Sequence, residues 1–195
     1  MLYFHKNIYK TLFLLLIILA ASCGPAPTPK PRAFFRIDLP EKEYNHFNIG
    51  YPYSFEYPVY AEINKDLSPL AEPWWLNIDI PQFRARIHIS YKQINDNLAE
   101  YLDDTHKLLH KHIPKATGIR EDMVINDERQ VYGVIYHIRG LGVASTCQFY
   151  VTDSTRHFLR GALYFNVIPN NDSLAPVIDF LKADIDHLVS TLEWN

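Results

Sequence analysis

Three histidines crowd one short stretch, "THKLLHKH" (105–112). His106 and His110 stand four apart, which puts them on one face of a helix at a spacing that can chelate a metal ion. A metal site needs a third ligand from elsewhere, and no H-E-x-x-H pattern is present. The expectation is a pair of solvated helix-face histidines and no cofactor, with His106 and His110 as the weak metal candidates. His112 falls toward the apolar stripe of the same helix. Asp153, Ser154 and His157 carry the residue types of a nucleophilic triad, but they are neighbours in sequence and no G-x-S-x-G elbow surrounds any serine. Their composition is that of a hairpin turn. A G-x-x-x-x-G-K-[ST] phosphate loop is also missing. Cys147 lies in an alternating strand with Phe149 and Val151 on its face, the setting of a buried, inert thiol. The carboxylates Asp103–Asp104, Glu121–Asp122, Asp127–Glu128, Asp184 and Asp186 fall in loops or on polar helix faces, where solvation is the default. No enzyme signature and no small-molecule substrate emerge.

One strand differs from a plain surface. "STRHFLRGALYFN" (154–166) places Arg156, Phe158, Arg160, Ala162, Tyr164 and Asn166 on the face opposite Leu159, Leu163 and Phe165. Arg, Phe and Tyr together are the residue types enriched at protein contacts, so Arg156, Phe158, Arg160 and Tyr164 form a candidate contact face. The alternative is an amphipathic strand covered by a helix.

Short apolar alternations broken by turn residues dominate the elements that must hold these groups. Strands are predicted over 34–39, over 53–60 with Pro58 at an edge or bulge, around 74–80 and 86–91, and over 131–140, 144–152 and 156–167. The last two are joined through "DSTR" as a hairpin. A helix capped by Asn95 or Asp96 carries Leu98, Tyr101, Leu102, Thr105, Leu109 and Ile113 and ends at Pro114. A second starts near Asp172 or Ser173 and runs to Leu192, with a stripe that must dock on a sheet face. Strands, helix, strands, helix with a largely antiparallel sheet is α+β, an element order that resembles Mog1/PsbP-like domains.

The chain has 195 residues, 48% hydrophobic and 21% charged, the composition of a folded protein. Its formal net charge of -3 excludes a basic nucleic-acid footprint. Lys6 and Lys10 precede the apolar run "LFLLLIILAA" (12–21), about half the length needed to span a bilayer. Small residues then lead to Cys23, which makes residues 1–22 an export signal. "AASC" resembles the lipobox of bacterial lipoproteins, with Leu19 four residues before the cysteine rather than three. Cys23 is therefore the expected lipidation site, joining the protein to a membrane through acyl chains. "GPAPTPKPR" favours polyproline II, a tether over 23–32 that reaches at most about 28 Å. Residues 33–195 remain for one globular domain.

The strings "PRAFFRIDLP", "YPYSFEYPVYAEI", "WWLNIDIPQFRARIHISYK" and "DSTRHFLRGALYFNVIPNNDSLAPVIDFL" resemble the gliding-motility lipoprotein GldD family. The resemblance runs from about Pro31 to Trp194. It implies a Bacteroidota cell-envelope lipoprotein needed for gliding, partnered by subunits of the gliding or type IX secretion machinery. It brings no catalytic residues. The absence of acidic residues directly after Cys23 points to a periplasm-facing anchor, in the outer rather than the inner membrane. The expectation is thus a non-enzymatic accessory component. Its rivals are an envelope enzyme or metal-binding protein using His106 and His110, and a chaperone for lipoproteins or adhesins.

Overall fold

The computed structural model describes residues 37–168 and 170–195. The export signal, Cys23, the tether and residues 34–36 lie outside them. Among the described residues, ten strands and two α-helices form in the order β1 (Tyr44–Phe47), β2 (Tyr53–Pro58), β3 (Glu62–Lys65), β4 (Leu76–Ile80), β5 (Ala85–Gln93), α1 (Leu98–His110), β6 (Gly118–Asn126), β7 (Val131–Arg139), β8 (Ser145–Thr152), β9 (His157–Phe165), α2 (Asn171–Thr191) and β10 (Glu193–Trp194). This is α+β. Seven strands pair antiparallel in the order β3-β4-β5-β9-β8-β7-β6, and a small sheet pairs β1-β2-β10.

The period-2 pattern assigns the two faces of the large sheet. Leu76, Ile78 and Ile80 of β4, Ile87 and Ile89 of β5, Leu159 and Leu163 of β9, and Phe149 and Val151 of β8 are buried on one face. They meet Val177, Leu181, Ile185, Leu188 and Val189 of α2, with Tyr53 and Phe55 of β2 completing the core. Each such side chain contributes about 1.5–3 kcal/mol when fully buried. On the other face α1 lays Leu109 against Val134, Tyr136 and Ile138 of β7, a second and smaller apolar cluster.

Several boundaries differ from the sequence expectation for local reasons. Residues 37–39 form no strand; Gln82 Nε2 donates to the Asp38 carbonyl at 3.1 Å, and Pro40 follows directly. The first strand is β1, which pairs with β2. Pro58 ends β2 opposite Tyr44 of β1, beyond the point where β10 pairs with Ser54, so its other side has no strand neighbour among the described residues: a local edge within the middle strand of the small sheet. The cap of α1 is Asn97, because Asp96 turns the chain at φ 60 and Asn97 Oδ1 accepts the Asn95 N–H. The helix stops at His110, so Ile113 belongs to a separate single turn and is 47% exposed. The β8–β9 turn is held by Asp153, whose Oδ1 accepts the backbone N–H groups of Thr155, Arg156 and His157 at 2.8–2.9 Å.

Gly133 marks the tightest point of the sheet. A methyl group there would sit 1.9 Å from the Tyr150 carbonyl oxygen, a backbone atom that the β7–β8 ladder holds in place. Gly133→Ala is expected to cost about 3 kcal/mol, read as a lower urea midpoint.

Candidate binding face

Register aligns the polar side chains of the large sheet into rows on the face opposite α2. One row runs Asn64, Asn77, His88, Ala162, Gln148, Tyr136 across six strands. The next runs Glu62, Asp79, Arg86, Tyr164, and a third joins Ser90, Arg160 and Tyr150. Helix α1 covers the β7–β8 end of these rows. It leaves β3, β4, β5 and part of β9 open, because thirteen residues span only about 20 Å.

The open part is prearranged. Asp79 accepts from Arg86 Nε at 2.5 Å and from Asn64 Nδ2 at 3.0 Å. Burial alone would raise its carboxyl, but these bonds outweigh burial and hold it below the usual range. His88 meets the Tyr164 ring edge-on at 5.6 Å. Burial, then the charge of Arg86, pushes His88 below its ordinary value, so the imidazole is neutral at pH 7. Arg160 donates through Nη2 to Gln148 Oε1 at 3.0 Å, and burial presses down on its charged form. Among the described residues three buried polar atoms of these rows have no hydrogen-bond partner: Asn77 Oδ1, Gln148 Nε2 and Arg160 Nε. Orphans of this kind cost about 1–3 kcal/mol each. Asn77 lies in the open part, whereas Gln148, on β8 and 1% exposed, lies at the end that α1 covers. Two hollows of about 730 and 710 Å³ open over the face and share Asp79, Arg86 and His88.

The four residues of the sequence-derived contact face separate here. Arg160 and Tyr164 belong to the open rows. Phe158 is 3% exposed, tucked against Tyr101 of α1 and stacked on Tyr150, so the helix covers it and no partner reaches it. Arg156 is exposed in the β8–β9 turn, away from the rows. His106 and His110 are both exposed on α1, His106 3.5 Å from the Tyr136 hydroxyl. Among the described residues no three His, Cys, Asp or Glu side chains gather in a way that could hold a metal. His112 is half-buried near Arg160. Cys147 is fully buried, and burial pushes its thiol up to about 12, far from a reactive thiolate.

Asp184 corrects the expectation of solvated carboxylates. It is 1% exposed, and Lys42 Nζ lies 2.6 Å from its Oδ1, where the Tyr44 hydroxyl also donates at 3.0 Å. Tyr60 donates to the other oxygen. Burial, then Asp184, raises the Tyr44 phenol to about 12. Lys42 also donates to the Phe180 carbonyl at 2.8 Å and sits 3.3 Å above the Phe180 ring. The cluster bolts the segment before β1 to α2. Helical periodicity alone could not reveal it, since Lys42, Tyr44 and Tyr60 are distant in sequence.

Four histidines, His88, His112, His137 and His157, are held below the ordinary histidine value, in each case first by burial. Each is neutral in the fold and takes up a proton on unfolding. Stability from this source is complete above about pH 6.5 and falls as pH drops below it, by about 1.4 kcal/mol per pH unit for each proton taken up. Asp186, raised by burial, acts in the opposite sense but nearer the carboxylate range. The melting temperature is expected to be lower at pH 5.5 than at 7.5. His137→Gln should reduce the difference, because His137 is 5% exposed.

Among the described residues no helix is long and apolar enough to cross a membrane. No curated protein matches the chain. Among solved structures, cyanobacterial PsbP (CyanoP) from Synechocystis sp. PCC 6803 is similar at 12% identity and a TM-score of 0.49, covering 88% of this chain and 100% of that one. The family described as gliding motility lipoprotein GldD matches residues 24–194, nearly the entire length, and the chain belongs to that family.

Proposed function

We propose that the protein is a lipid-anchored, non-enzymatic binding component that works with the gliding and type IX secretion machinery. Membership of a gliding-motility lipoprotein family gives the cell-envelope setting and the process. The observation that carries the binding role is the uncovered sheet face over β3, β4 and β5, where Asn77 Oδ1 lines a hollow and is left unpartnered. A bound component would supply the missing partner. Acyl chains on Cys23 hold the domain within reach of a membrane, and the tether limits that reach to about 28 Å. The acid-free segment after Cys23 supports a periplasm-facing anchor in the outer membrane.

Purification of the full lipoprotein in detergent from gliding cells tests this reading. Subunits of the gliding or type IX apparatus are expected to accompany the wild type and to be lost with Tyr164→Ala and Arg160→Gln combined. Identical recovery with the variant, or none with the wild type, would overturn it.

A further inference from the structure

We infer that the open sheet face is a carbohydrate site, reading a neutral, hydroxyl-rich chain of several sugar units. The inference goes beyond the binding role proposed above and assigns a second ligand, a carbohydrate, to the same face. Charge balance is the first argument. The larger hollow is lined by Glu62 and Asp79 against Arg84 and Arg86, the second by Asp66 and Asp79 against Lys65 and Arg86. An anion would face two carboxylates in either hollow, and a cation two bases.

The unpartnered Asn77 Oδ1, in the lining of the second hollow, is the second argument, because it needs a donor. A carboxylate or phosphate brings none. Hydroxyl groups both donate and accept, so a polyhydroxylated ligand can serve Asn77 and the charged pair beside it. The Asp79–Arg86 pair adds an acceptor and a donor side by side, fixed by Asn64. Neutral His88 offers one of each.

Shape is the third. Tyr164 lines the larger hollow and stands edge-on to His88, leaving an aromatic surface against which the C–H face of a sugar ring can lie. The two hollows share Asp79, Arg86 and His88 in their linings and so lie side by side, each with a volume typical of a small-ligand site. Two adjacent hollows suit a chain rather than a monosaccharide.

Calorimetric titration of the full lipoprotein in detergent tests this, with chitotetraose, mannotetraose, maltotetraose, sodium acetate and inorganic phosphate as separate probes. At least one tetraose is expected to bind, about tenfold more weakly to Tyr164→Ala and to His88→Ala. Met123→Ser, at the far edge of the sheet, should leave binding unchanged. Melting temperatures matching the wild type show that the variants are folded; where His88→Ala falls short, Tyr164→Ala alone decides. Binding of acetate or phosphate without any tetraose overturns the inference, as does binding of no probe or unaltered tetraose binding by Tyr164→Ala. Should no tetraose bind while the purified complex still depends on Tyr164 and Arg160, the carbohydrate inference fails and the binding role stands. Should tetraose bind while the complex ignores both residues, the reverse holds.

Discussion

Asp184→Ala is expected to lower the stability of the domain by about 3 kcal/mol, read as a fall in urea midpoint at unchanged slope. The loss has three parts. The Lys42 ammonium loses the carboxylate 2.6 Å away, and the Tyr44 and Tyr60 hydroxyls lose their acceptor. A void also opens beside Leu181 and Ile185, both fully buried. The cost stays below that of a sealed ion pair because the Lys42 side chain is 30% exposed and can regain water. Removing both charges is a different case. Lys42→Met with Asp184→Leu is expected to recover most of the loss, since a packed apolar pair can equal a buried ionic one.

Cys23→Ala is expected to release the protein from the membrane fraction and abolish gliding. A diacylated cysteine buries many methylenes at about 0.8 kcal/mol each, whereas the export segment alone spans only about half a bilayer. The measurement is the share of protein in washed membranes, with labelled palmitate incorporation as the direct readout. Full partition of the variant with membranes would remove the anchor from the account.

The sequence disclosed what periodicity governs. The stripe through Val177, Leu181, Ile185, Leu188 and Val189 is the core face of α2, and the alternations around Ile78, Ile87 and Leu163 are buried strands. The helix from Leu98 was visible from its spacing, though not its end at His110, and the Asp153 turn was visible from its composition. Strand β6 was not visible. An edge strand has one neighbour, so "GIREDMVIN" carries charge at Arg120, Glu121 and Asp122 and leaves Met123 70% exposed. The candidate site was half visible. Strand alternation placed Arg160 and Tyr164 on one face, but coverage of Phe158 depends on where α1 docks. Gln148, the partner of Arg160, His88, the partner of Tyr164, and Asn77 beside His88 come from three other strands, and only sheet order brings them into register. Asp184 was misread for the same reason: its helix position was plain, the tyrosines and lysine around it were not.

The face carrying Tyr164 and Arg160 is where the protein is proposed to act. Colony spreading decides it, in gliding cells whose own copy is replaced by the full lipoprotein carrying Tyr164→Ala and Arg160→Gln. Loss of spreading is expected, with wild-type amounts of protein in the membrane fraction. Wild-type spreading at those amounts would mean that the protein acts through another surface.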